Sequence, residues 1–171
     1  MACIINAGYS LGCKDNTGGI QEAYIGNFSS SAVYTLDADN IISGSVVSGG
    51  DYYTFEQRNE NAEYNQEGQH SVENGTNFWV QTLNLVFHKN EAAIRNTLLL
   101  LAKSSLSVIV KDQNGTYWLL GKQNGCELVS SAASFGKGYG DLNGITISIE
   151  GREPEPAHQL SAGTFATLTV N

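Results

Sequence analysis

The sequence predicts a mainly β protein, an antiparallel β-sandwich or barrel flanked by one α-helix. Three observations carry that expectation. Two Asn-Gly pairs, Asn114-Gly115 and Asn124-Gly125, stand ten residues apart and punctuate runs of strand-forming residues; Asn-Gly suits the positive φ angles of tight turns. Ile145, Ile147 and Ile149 alternate with Thr146, Ser148 and Glu150, the two-residue period of a half-buried strand. Helical spacing is clear over one stretch, where Ile94, Thr97, Leu98, Leu101 and Ala102 fall at i, i+3, i+4, i+7 and i+8.

Taken in order, residues 1–20 are rich in Gly, Asn, Ser and Thr and read as an irregular arm or a first strand with turns. Residues 21–36 suggest two short strands around Ser29-Ser30-Ser31, and Asp37-Ala-Asp-Asn40 is a turn. Residues 41–47 and 52–56 are strand-like, with Ser48-Gly-Gly-Asp51 between them. Residues 56–75 hold almost no apolar side chain and read as a long exposed loop or hairpin for subunit contacts; long loops inside compact domains are usually functional or disordered. Thr76 to Lys89 is a long strand with Trp79, Leu83, Leu85 and Phe87 on one face and Gln81 as the exception.

Asn90 is a good N-cap for a helix over 90–103. The strands of 106–110 and 116–121 and the isoleucine strand then form a compact meander. Residues 151–156, Gly-Arg-Glu-Pro-Glu-Pro, are not expected in a central strand, and 164–170 reads as a last strand. With no repeat or linker, residues 1–171 form one expected domain of about nine strands and one helix.

Charged residues make up 15% of the chain, against about 25% in an ordinary soluble domain. A surface this poor in charge suits one largely covered by other protein. The net charge is −8 and the nine Lys and Arg never cluster, which argues against a phosphate-gripping surface. Cys3, Cys13 and Cys126 have no CxxC spacing and read as buried free thiols. Met1 is followed by neither a basic region nor a long apolar run, so an ordinary signal peptide and a membrane span are not expected; synthesis in a reducing cytoplasm is.

No catalytic, cofactor or metal motif is found. His70, His88 and His158 lack metal-ligand spacing. Gly136-Lys-Gly-Tyr-Gly140 has no helix behind it to bind phosphate, and reads as a loop. Asp112-Gln-Asn-Gly115 and Asp141-Leu-Asn-Gly144 lack the glutamate that completes a calcium loop, and read as turns. Glu56, Glu60, Glu63 and Glu67 lie in a polar stretch with no burial to raise a carboxyl pKa. No enzyme and no cofactor are expected.

One block resembles a known family. The helix, Val108-Ile-Val-Lys-Asp-Gln-Asn-Gly-Thr-Tyr-Trp-Leu-Leu-Gly121, Asn124-Gly125, and a Gly-rich loop leading to Gly140-Asp-Leu-Asn-Gly-Ile-Thr-Ile-Ser-Ile-Glu-Gly151 resemble bacteriophage tail tube (major tail) proteins. Gly12-Cys-Lys-Asp-Asn-Thr-Gly-Gly-Ile20 and Tyr24-Ile-Gly-Asn-Phe28 are similar to structural proteins of phages of Bacteroidetes-type hosts. The likeness is one of pattern and element order over residues 10–155, carried by turn chemistry.

That resemblance implies a tail-tube-like fold whose subunits form rings, usually hexameric, with inner sheets joined into a β-lined channel. Stacked rings make the tube through which DNA leaves the capsid. The expected partners are copies of the chain, other phage tail proteins, and DNA passing without tight binding; the expected location is the virion tail. A long loop commonly reaches a neighbour, and residues 56–75 hold that position, making Glu56, Arg58, Glu60, Glu63, Tyr64 and Glu67 the candidate interface residues. More carboxylates than basic groups are expected along the channel, where they would repel DNA phosphates. The alternatives are a head-tail connector, tail terminator or capsid decoration protein, and a carbohydrate-binding β-sandwich module presenting Trp79, Trp118, Tyr52 and Tyr53. Both tryptophans sit in strand patterns that favour the core.

Overall fold

A computed structural model describes residues 8–10, 12–44 and 51–171. Cys3 and the end of the expected 41–47 strand, with the turn after it, lie outside these residues. The protein is mainly β with two short helices. In chain order it comprises β1 (Ile20–Asn27), β2 (Tyr52–Glu56), β3 (Glu63–Ser71), β4 (Thr76–Phe87), α1 (Ala92–Leu101), β5 (Leu106–Asp112), β6 (Tyr117–Leu120), β7 (Cys126–Ser134), β8 (Gly144–Glu153), β9 (His158–Leu160) and α2 (Ala162–Phe165). All named strand pairs are antiparallel, in the order β2-β1-β5-β7-β8-β4-β3, with β6 pairing β5 and β9.

β5 meets β7 at one residue pair, Leu106 and Cys126. That single junction divides the sheet into two layers. Ile25, Val108 and Val110 from one layer pack against Leu83, Leu85, Ile147 and Ile149 from the other to form the main core. Burying a side chain of this size stabilises by about 1.5–3 kcal/mol. The other face of the first layer is also covered. Tyr24, Ile109 and Leu119 pack beneath Ile42, Leu160, Phe165 and Leu168, and the Phe165 ring stacks on Tyr117 at 4.2 Å. β5 is thus sandwiched on both sides, which is why Leu106 to Val110 are all buried. The outer face of the second layer, β7-β8-β4-β3, has no such cover among the described residues.

Several expectations change. Gly151, Arg152 and Glu153 belong to the central strand β8, where they pair with Gln81, Val80 and Trp79, because the prolines that cannot join a ladder begin only at Pro154. Asn114 and Asn124 do not take positive φ; the glycines do, with Gly115 at 81° and Gly125 at 78°. The first turn joins β5 to β6, with Gly115 N–H donating to Asp112 O and Asp112 N–H to Thr116 O. The second joins no hairpin. β6 pairs β5 and β9 whereas β7 pairs β8, so residues 121–125 pass between layers and the expected meander is broken there.

The helix starts at Ala92, not Asn90. Its N-cap is Glu91, which makes no side-chain capping bond, because the Asn90 oxygen accepts from Arg95 Nε at 2.9 Å instead. The expected last strand at 164–170 is α2 plus a tail: Ser161 caps the helix by accepting from Thr164 N–H, and only the final residues pair, parallel to β2 through Tyr52 and Val170. The second expected strand before Leu36 is reduced to isolated bridge positions at Val33 and Leu36, the latter paired with Ile42. Cys126 is buried as expected, but Cys13 is exposed because it lies in the arm, outside the packed layers. Trp79 and Trp118 are half-buried.

Candidate assembly interface

The stretch 56–75 is a hairpin. β3 pairs with β4 from Glu63·Asn84 to Ser71·Thr76, and Gly75, at φ 62°, helps turn the tip. Its first half is less polar in effect than its composition suggests. Ala62 is buried and Tyr64 packs against the main core, with the Tyr64 hydroxyl donating to Gln66 Oε1 at 2.7 Å. Of the candidate residues, Tyr64 therefore faces inward. Glu56 ends β2, Arg58 and Glu60 lie in the connection, with Glu60 at φ 68°, and Glu63 and Glu67 are exposed on the outer face. The structure does not gather the six into one patch.

Register shows what the outer face holds. Tyr64, Leu83, Ile149 and Leu128 share one transverse row, and Gln66, Gln81, Gly151 and Cys126 the next on the same side. The intervening rows point outward. Glu63, Asn65, Glu67 and Gln69 come from β3; Phe78, Val80, Thr82, Asn84 and Val86 from β4; Thr146, Ser148, Glu150 and Arg152 from β8; and Glu127, Ser130, Ala132 and Ser134 from β7. Four carboxylates, Glu63, Glu67, Glu127 and Glu150, thus face outward with one guanidinium, Arg152. Arg152 Nε lies 2.9 Å from Glu150 Oε1, which offsets the repulsion between Glu150 and its cross-strand neighbour Glu127.

Both margins of this four-stranded layer are unpaired among the described residues. The outer edge of β3 has no partner, and β7 has none beyond its contact at Cys126. Free edges are templates for another chain. Elsewhere edges are closed: the terminal residues pair with β2, where Tyr52 N–H donates to Thr169 O and Asn171 N–H to Tyr52 O. Ile42 covers β9, with Ile42 N–H donating to Gln159 O and Ser161 N–H to Ile42 O.

At its inner end the layer is held by buried polar contacts. Glu153, 3% exposed, accepts the backbone N–H groups of Gln123 and Asn124 at 3.1 and 2.8 Å. β7 leads into a loop, residues 135–143, that exposes Phe135 and Tyr139. Asp141 Oδ2 accepts the N–H groups of Gly138 and Lys137, each at 2.8 Å; these bonds, that of Gly138 foremost, hold its carboxyl below the usual carboxylate range.

Beyond this layer, Lys122, Glu155 and His158 form a small cluster, with Glu155 Oε2 3.4 Å from Lys122 Nζ and 3.0 Å from His158 Nε2. The hydrogen bond from His158 lowers the Glu155 pKa. Neither this cluster nor the β7 margin was legible in residue spacing. Among the described residues no group of three or more His, Cys, Asp and Glu could hold a metal ion, and no helix is long and apolar enough to cross a membrane. No family model matches the chain, and comparison with curated proteins returns no match.

Proposed function

We propose that this chain is a structural subunit of a phage tail tube, assembling into rings that stack around a DNA channel. One observation carries the reading: the β7-β8-β4-β3 layer has two free margins and a polar, acid-rich outer face with nothing packed on it among the described residues. The number of strands matters. Four antiparallel strands place β7 and β3 in opposite directions. Under cyclic rotation, β3 of one copy then meets β7 of the next antiparallel, so the sheet continues around a ring without a change of pattern. Such a head-to-tail contact is heterologous and closes when the rotation does.

In the closed ring the outer faces line the lumen. Thr, Ser, Asn and Gln keep it wet, and four carboxylates against one Arg per subunit repel phosphate. The resemblance of residues 10–155 to tail tube proteins supports the same assignment. Electron microscopy of the purified chain tests it. Stacked tubes with a continuous β-lined lumen are expected, together with the chain in purified virion tails. Single rings that never stack would move the assignment to a connector or terminator. A monomer at every concentration, absent from virions, would end it.

A further inference from the structure

The same layer carries an aromatic projection at one margin and a hollow beside the other. The projection is the 135–143 loop, whose Phe135 is 67% exposed and whose Tyr139 is fully exposed. Asp141 clamps it through the N–H groups of Lys137 and Gly138, and Gly136 turns it at φ 69°. Presenting aromatic groups on a pre-shaped loop reduces the ordering cost of binding. The hollow, about 660 Å³, lies where the start of β3 approaches the far ends of β1 and β5. Ile20, Tyr64, Val110, Trp118 and Pro156 give it a mainly apolar lining, and Asp112 adds a carboxylate.

The geometry points to a lock between copies: the 135–143 loop of one subunit seats Phe135 and Tyr139 in the hollow of its neighbour. The inference rests on the ring assembly proposed above. In the antiparallel junction of β3 with the next copy's β7, the end of β7 at Ser134 runs toward the start of β3 at Glu63. The loop that follows Ser134 is thereby delivered to the side of the molecule where Ala62, Glu63 and Tyr64 border the hollow. Charge agrees with this occupant, because Lys137 on the loop approaches a hollow whose charged side chain is Asp112. Aromatic anchors in such pockets are the usual hot spots of an interface. The apolar area exposed on the loop and the apolar lining of the hollow are covered by the same contact.

Site-directed cross-linking of the full-length chain tests this. In a background with Cys3→Ser and Cys13→Ser, one variant carries Tyr139→Cys and another Pro156→Cys, both at exposed positions. The two are mixed, assembled and treated with a short bis-maleimide. Cross-linked dimer is expected about tenfold above either variant alone, since assembly raises the local thiol concentration to the order of millimolar. Phe135→Ser combined with Tyr139→Ser is expected to raise the concentration needed for assembly by about tenfold or more, with the unfolding midpoint unchanged. Normal assemblies that yield no excess dimer would overturn the lock and leave the ring intact. A wild-type chain that stays monomeric would overturn both.

Discussion

The backbone N–H of Gly121 donates to the side-chain oxygen of Gln81 at 3.1 Å, joining the β6–β7 crossover to the middle of β4. Gln81 is 1% exposed and stands in a row otherwise made of Trp79, Leu83, Leu85 and Phe87. Gly121, at φ 69°, has no room for a side chain, since an added Cβ would lie 2.8 Å from Cys126 Sγ. Replacing Gln81 with Leu keeps the volume and orphans a buried donor. A loss of about 1–3 kcal/mol is expected, read as a lower urea midpoint at unchanged slope.

Two glycines of one loop region should respond in opposite ways. A Cβ on Gly144 would collide with the Phe87 carbonyl oxygen, whereas one on Gly140 meets nothing within 4 Å. Gly144→Ala must push β8 away from β4, and is expected to cost at least about 1–3 kcal/mol. Gly140→Ala should stay within about 0.5 kcal/mol of wild type. Thermal unfolding of the pair provides the comparison.

Alkaline pH should unfold the protein through buried acids that stay protonated when folded. Burial pushes the Cys126 thiol up to about 12 and the Tyr34 phenol up to about 12, and burial also raises Tyr24, Tyr52 and Tyr64. A raised folded pKa means that the unfolded chain releases protons first. The contribution is therefore complete below the ordinary values, 9.0 for Cys and 10.0 for Tyr, and is lost as pH rises toward 12. The part of the tyrosinate absorbance that comes from these four phenols should appear together with loss of near-ultraviolet circular dichroism. Titration of these tyrosines in a still-folded protein would contradict the burial argument.

Val129, 61% exposed at the irregularity of β7 between Leu128 and Ser130, tests the free margin. Val129→Lys should leave stability within about 0.5 kcal/mol and strongly impair assembly, because a charge at a strand edge blocks pairing. Sedimentation of the assembled fraction alongside the melting temperature separates the two effects.

Asn114 ties down the arm. Its Oδ1 accepts Thr17 N–H at 2.9 Å, and its Nδ2 donates to Asn16 Oδ1 at 2.7 Å and to Thr17 O at 3.1 Å. Asn114→Ala should free the arm while the Gly115 turn persists. Faster tryptic cleavage after Lys14, with the core intact by mass spectrometry, is the expected outcome.

Strand positions were legible wherever one face is buried and the other wet, as in the alternation of Ile145, Ile147 and Ile149, because that period has a single physical cause. Helix α1 was legible for the same reason at its own period, though its first residue was not. Asn90 has the chemistry of a cap, but Arg95 takes its oxygen. The tail misled because Phe165, Leu168 and Val170 are partly buried through one short helix and an extended end, which together mimic a strand's composition. Of the candidate interface, Glu63 and Glu67 were placed on an exposed face by their surroundings, whereas Tyr64 turned inward because β3 begins over the core.

By itself the chain's order of residues determined a β class, its turns, and a surface poor in charge, since these follow from local periodicity, glycine geometry and composition. Tertiary structure alone decided that the second Asn-Gly turn crosses between layers, that β3 and β7 become the two free margins, and that four carboxylates share one face. Those facts depend on which strands pair and in what register, and pairing is set by contacts between segments distant in sequence, whose local patterns do not name their partners.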